Sequence, residues 1–136
     1  MSKPIYLVCG VPGSGKTWCC EQLDGKFNYV PHDDYLVSQY TDALIKRAEY
    51  SDRPVLGECP FRISILISDL RKAGMQVHPY FIVEDPETVK KRYQLRERKP
   101  IPKQHITRMK TIRERAAAYG TGIGTSQQIL EMLRQI

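Results

Sequence analysis

Apolar residues along this chain come in short bursts separated by polar stretches, and the bursts follow two rhythms. Residues 5–9, 27–30, 55–57 and 75–83 are compact runs rich in β-branched and aromatic side chains, the pattern of buried strands. Between them the spacing becomes helical. Residues 16–23 and 34 to about 49 suit helices, and in residues 63–73 the apolar positions Ile63, Leu66, Ile67 and Leu70 fall on one face. Gly25 and Gly74 stand where two of these helices should stop, Pro31 closes the second strand, and residues 51–54 break the chain before the third. Asp34 is placed to cap the helix after the second strand. Asp85-Pro86-Glu87 opens another helix with an acid as N-cap and proline in the first turn. That helix runs to Arg98, where Lys99-Pro100-Ile101-Pro102 makes a rigid surface loop. A further helix is expected from about Lys103 to Tyr119, a flexible stretch over residues 120–124, and a last helix to about Arg134 with Thr125 and Gln128 closing a capping box. Strands separated by helices predict a parallel sheet covered on both faces. The expected fold class is α/β, a small three-layer sandwich with its ligand at the carboxyl ends of the strands.

A chain of 136 residues has room for one domain with a real core and too little for a second. Its net charge of +6 is unevenly spread. Residues 90–115 hold eleven Lys and Arg against Glu97 and Glu114, a local charge of +9 in a chain that is otherwise slightly acidic. Such a field suits a polyanionic partner: a triphosphate, a nucleotide or a nucleic-acid strand. The plain alternative for any one residue in the run is a solvated helix face. Cys9, Cys19, Cys20 and Cys59 form no CxxC pair, and His32, His78 and His105 are scattered, so a metal is expected to arrive with a nucleotide. Cys9, inside the first apolar run, reads as a small buried thiol. No signal-peptide core or membrane-length apolar stretch is visible, which predicts a reducing cytoplasm and no membrane partner. Oligomeric state leaves no trace in the sequence.

The candidate chemistry begins where the first strand ends. Gly10-Val11-Pro12-Gly13-Ser14-Gly15-Lys16-Thr17 matches GxxxxGK[ST], the Walker A pattern, in the required setting of a strand before and a helix after. Glycines let backbone N–H groups approach a phosphate chain closely, and the helix that follows adds the positive end of its dipole. Gly10, Pro12, Gly13, Ser14, Gly15, Lys16 and Thr17 are therefore expected to bind ATP, with Lys16 on the β- and γ-phosphates and the Thr17 hydroxyl on Mg²⁺. Moving a phosphoryl group also needs an acid to place the nucleophile, support for the metal, and cations for developing charge. His32-Asp33-Asp34-Tyr35 follows the second strand, and Asp33 is the preferred general base. Glu58, ending the third strand, is the candidate to hold Mg²⁺ through water. Arg92 and Arg96, four apart on one helix face, are the candidate phosphate cations, and Arg98 lies off that face. Trp18 is expected to pack against the sheet.

Together GVPGSGKTW, HDDY after the second strand, and DPETVKKRYQLRERKPIP before a basic helix resemble the kinase domain of phage-type polynucleotide kinases, within the adenylate-kinase-like P-loop kinases. The resemblance extends to about Tyr119. It implies a P-loop NTPase fold with an arginine-rich lid at about residues 92–105 and ATP-dependent transfer to a nucleic-acid 5′-hydroxyl. It further implies Asp33 as the base for that hydroxyl and Arg96 as the lid arginine bridging donor and acceptor phosphates. Two departures leave the acceptor open. Leu36 and Val37 stand where the polynucleotide enzymes carry an arginine for the substrate's 3′-phosphate. Glu58-Cys59-Pro60-Phe61-Arg62 is similar instead to the Asp-Gly-Phe-Pro-Arg segment of nucleoside monophosphate kinases, which makes Arg62 a candidate for an acceptor phosphate. A nucleoside or nucleoside monophosphate kinase, or a nucleotide-binding module without catalysis, are the alternative readings.

Overall fold

The computed structural model describes residues 2–119 and 121–136. Strands β1 (Ile5–Cys9), β2 (Asn28–Val30), β3 (Val55–Cys59), β4 (Val77–Ile82) and β5 (Gly122–Gly124) form one parallel sheet in the order β2-β3-β1-β4-β5. The helices are α1 (Lys16–Gln22), α2 (Val37–Tyr50), α3 (Ile63–Lys72), α4 (Pro86–Glu97), α5 (Lys103–Tyr119) and α6 (Ser126–Arg134). Side chains alternate across each strand, so every strand feeds two cores. Leu7 and Cys9 of β1, Val55 and Cys59 of β3 and Phe81 of β4 pack with Leu44, Ile67 and Ile112 from α2, α3 and α5. The intervening Val8, Leu56 and Ile82 face Cys19 and Cys20 of α1 and Ile129, Leu130 and Leu133 of α6. The result is the three-layer α/β sandwich, with β1 in the middle of the sheet. Among the described residues no helix is long and apolar enough to cross a membrane.

Local signals hold where a side chain meets its own helix end. Asp85 accepts from the Thr88 N–H (3.2 Å), and Thr125 and Gln128 bond each other's backbone N–H groups at 3.2 and 2.9 Å. Gly74, at φ 82°, lets its own N–H and that of Met75 reach back to Arg71 and Leu70, each at 3.0 Å.

Three expectations change. Gly122–Gly124, within the stretch expected to be flexible, is a fifth strand paired with Tyr80–Ile82; Gly120 lies outside the described residues. Absence of a side chain is what admits it, since a Cβ on Gly122 would meet the Tyr80 ring at 2.6 Å and Met132 Sδ at 2.8 Å. Asp34 does not cap α2. Residues 32–34 form a single 3₁₀ turn, Tyr35 and Leu36 are extended, and α2 starts at Val37 without a side-chain cap. Tyr35 packs against the core, and that anchoring holds the chain extended past the acids before it turns helical. Trp18 does not pack on the sheet either. Cys19 and Cys20 take the inward face of α1, which leaves the indole 43% exposed.

Gly57 lies under a crowded roof: a Cβ there would come within 2.9 Å of both the Tyr40 hydroxyl and Leu44 Cδ2, and 3.0 Å of Leu7 Cδ2. Gly57→Ala is expected to destabilise the chain by about 1–3 kcal/mol through overpacking, read as a lowered urea midpoint. An unchanged midpoint would show that this contact is soft. Burial depresses the pKa of all three histidines below the usual 6.5, with Arg108, Lys16 and Arg96 pushing His105 further down and Arg71 doing so for His78, while Asp33 and Glu58 pull back at His32. Below pH 6.5 the unfolded chain therefore binds protons that the folded chain does not, so stability should fall as the pH drops from about 7.5 to 5.5. His105, buried with Nδ1 unpartnered, contributes to that slope, and His105→Gln should flatten it in urea melts across the window.

Candidate phosphate-binding site

β1 ends at Cys9, and residues 10–15 turn the chain into α1 over the carboxyl edge of the sheet. The Gly10 N–H donates to the Cys59 carbonyl (3.2 Å), tying the start of the loop to the end of β3. Gly13 (φ 87°) and Gly15 (φ 95°) occupy left-handed backbone, and a Cβ on Gly10 would meet Ser14 Oγ at 2.4 Å. No side chain caps α1, and buried Ser14 Oγ has no hydrogen-bond partner. The loop is thus a bowl of backbone donors whose shape only glycine allows, and it fits a phosphate chain.

Beneath the bowl sits Glu58, 4% exposed. Strand alternation turns it to the same face as Leu56, toward α1. The Thr17 hydroxyl donates to Glu58 Oε1 (3.0 Å), and the Tyr29 hydroxyl lies 2.9 Å from both carboxylate oxygens. Tyr40 holds the backbone on the other side: its hydroxyl accepts from the Glu58 N–H (2.9 Å) and donates to the Val30 carbonyl (2.7 Å). Lys16 is half-buried at the same place. Burial pushes its ammonium below the usual 10.5, Glu58 and then Asp33 pull it back, and Arg96 pushes it down again. Residues from three separate stretches therefore act on one ammonium.

Asp33 is exposed on the 3₁₀ turn beyond β2, next to a cleft of about 510 Å³ lined by His32, Tyr40, Cys59, Phe61 and Arg62. His32 packs edge-on against Tyr40 (4.7 Å) and Phe61 (5.7 Å). Arg96 is an exposed residue of the last turn of α4, over the Tyr93 ring and beside Glu97 (3.1 Å). Arg92, expected to act with Arg96 on phosphate oxygens, has protein partners of its own here. Its guanidinium donates to the Ser14 carbonyl (3.2 Å) and pairs with Glu84 (3.5 Å), so it braces the loop from outside. Arg98 ends α4 in left-handed backbone, φ 57°.

Three residues of this network went unread in the sequence. Glu84 lies two residues beyond the end of β4, at the sheet edge where Glu58 lies near the end of β3, and that position was its signal; its Oε1 accepts from the Ser126 N–H (2.9 Å) and Oγ (2.8 Å). Ser126 and Tyr29 carry no sequence signal of their own. Gly15, Trp18, Arg92 and Ser126 surround a further cleft of about 380 Å³ beside the loop.

The donor set also fits a hard divalent cation. Because Thr17 directs its proton to Glu58, the lone pairs of its oxygen are free. Among the described residues no three His, Cys, Asp or Glu side chains gather as a metal site, so Mg²⁺ here would complete its shell with phosphate oxygens and water.

No protein-family model and no curated protein matches the chain. Its structure is similar to that of the tunicamycin resistance protein of Deinococcus radiodurans, with a TM-score of 0.75, 17% identity, and 96% of this chain and 92% of that one covered. A gluconokinase from Sinorhizobium meliloti aligns over 94% of this chain and 87% of its own at 16% identity, TM-score 0.63. A sugar kinase from Janibacter covers 96% and 92% at 15% identity, TM-score 0.60. Likeness at this identity speaks for architecture, and with the loop geometry above it shows that the chain has the P-loop NTPase fold.

Proposed function

We propose that residues 1–136 form one P-loop kinase domain, with a lid at about residues 92–105, that moves the γ-phosphate of ATP to the hydroxyl of a nucleic-acid 5′ end. One observation carries the phosphotransfer reading: Asp33, Glu58 and Arg96, far apart in sequence, all lie near enough to the Lys16 ammonium beside the glycine bowl to act on its charge. A site for binding alone needs neither a carboxylate on the acceptor side nor a cation on a separate helix. Lys16 and the amides of residues 13–17 hold the phosphates. Mg²⁺, on Thr17 and through water on Glu58, would neutralise charge across the β- and γ-phosphates. Asp33 takes the proton of the attacking hydroxyl as its oxygen bonds to the γ-phosphorus, the bond to the β–γ bridging oxygen breaks, and ADP leaves. Arg96 neutralises charge on the transferred group, while Arg92 keeps the loop in shape.

The acceptor rests on the resemblance to phage-type polynucleotide kinases and on the local +9 of residues 90–115. A second reading, transfer to a small hydroxyl compound or a nucleoside monophosphate, is favoured by the cleft next to Asp33, with Arg62 in its wall, and by neighbours named as gluconokinase and sugar kinase.

Asp33→Asn is expected to lower transfer about 10²–10⁴-fold while ATP binding by calorimetry stays close to wild type. Normal turnover in that variant would remove Asp33 from the reaction. Lys16→Ala should weaken both ATP binding and turnover. Offered γ-labelled ATP, the protein should label a 5′-hydroxyl oligonucleotide; label found solely on gluconate or a nucleoside monophosphate would hand the acceptor to the second reading. ATP binding with no labelled acceptor at all would favour a module without catalysis.

A further inference from the structure

On the acceptor side a smaller cleft of about 200 Å³ opens between α3 and α5. Arg62 enters it from the start of α3, and Arg108 and Arg115, seven apart on α5, enter from the same helix face. Among the described residues none of the three has a carboxylate within ion-pair distance. Three uncompensated guanidiniums around one small space repel one another and create a strong positive potential. Their placement is held. Arg108 lies over the Phe61 ring, 5.4 Å from its centroid, and Arg62 sits in left-handed backbone at φ 55°.

Of the other polar groups, the Thr111 hydroxyl is spent on the Thr107 carbonyl (3.3 Å), and the rest are available as donors. Ser64 lines the cleft, and its hydroxyl oxygen is buried without a hydrogen-bond partner. α3 begins there with no side-chain cap, which leaves first-turn N–H groups without side-chain acceptors. Guanidinium forks, a hydroxyl and helix amides together match a tetrahedral dianion or a phosphodiester, which offers several acceptor oxygens. Phe61, Arg62 and Ile65 line both this cleft and the larger one next to Asp33. One molecule can therefore occupy the two.

We infer that the α3–α5 cleft binds a phosphate already present on the acceptor, with Arg108, Arg115 and Ser64 as phosphate-binding residues beside Arg62. The inference rests on the phosphotransferase reading and deepens it: the acceptor is a phosphate-bearing alcohol, and neutral alcohols are poor substitutes. The phosphate has two possible sources, a monophosphate on a single nucleotide or a diester in a strand.

Calorimetric binding of a 5′-hydroxyl trinucleotide, a nucleoside 3′-monophosphate and the bare nucleoside would test this in wild type, Arg108→Ala, Arg115→Ala and Arg115→Lys, each checked for folding by thermal melting. Either alanine variant should weaken the phosphate-bearing ligands about tenfold or more and leave the weak nucleoside binding where it was. The salt dependence of trinucleotide binding should shallow by about one unit of slope. Arg115→Lys should restore the slope and only part of the affinity, because an ammonium lacks the two-pronged geometry. Loss with both phosphate-bearing ligands assigns the cleft to the nucleotide's own phosphate, and loss confined to the trinucleotide assigns it to the strand; each upholds the site. Equal binding of all three ligands in every variant, or an equal loss for the bare nucleoside, overturns it. Arginine-dependent phosphate binding without any γ-phosphate transfer would sink the kinase reading alone, whereas transfer to the bare nucleoside as fast as to the phosphate-bearing ligands, indifferent to the arginines, would sink the cleft alone.

Discussion

A buried carboxylate organises the functional edge of this molecule. Glu58 lies in the sheet at 4% exposure, and an ionised acid there is tolerable only if its oxygens are fully engaged. Thr17 and Tyr29 supply hydroxyl donors, Lys16 supplies the countercharge, and Tyr40 fixes the backbone at the same residue. The partners come from three elements other than β3: Lys16 and Thr17 from the start of α1, Tyr29 from the middle of β2, and Tyr40 from α2. Satisfying one acid thus ties the start of α1, and the loop before it, to the sheet. The same burial raises the Tyr29 and Tyr40 phenols well above their usual pKa, which keeps both hydroxyls protonated as donors.

A second acid performs the matching task on the outer side of the loop. Glu84 takes two bonds from Ser126 at the start of α6 and faces Arg92, whose guanidinium also meets the Ser14 carbonyl. A Cβ on Gly15 would come within 2.9 Å of Ser126, so the loop and α6 are packed as closely as backbone allows. The phosphate loop is consequently clasped by the last helix on one side and by α4 on the other. The helix that braces the loop through Arg92 also carries Arg96, in its last turn. The four cysteines take no part in this polar machinery: all are buried and unpaired, and burial raises the pKa of Cys9, Cys19 and Cys20.

Much of the fold was legible because its signals were local. Alternating strand and helix rhythms give the three layers, Asp85 and Thr125 announce their own helices, and the spacing of Gly10, Gly13, Gly15, Lys16 and Thr17 specifies a backbone shape with little help from elsewhere. Asp33 and Glu58 could be placed at the functional edge because strand ends in a parallel sheet share that edge. Misreadings arose where a distant contact outweighed a local preference. Gly122–Gly124 becomes a strand only because β4 is beside it, and Asp34 loses its capping role because Tyr35 is drawn to the core. Trp18 is displaced outward by the neighbouring cysteines, and Arg92 finds partners in Ser14 and Glu84 that its position on α4 could not announce.

By itself the sequence determined a glycine-built loop, the parallel sheet that displays it and the charge that surrounds it, because glycine freedom, residue periodicity and side-chain ionisation are properties of short stretches. Only the tertiary structure decided which carboxylate is buried under the loop, which arginine braces it, and which three guanidiniums share one cleft, because those facts depend on distances between residues that the chain order keeps far apart.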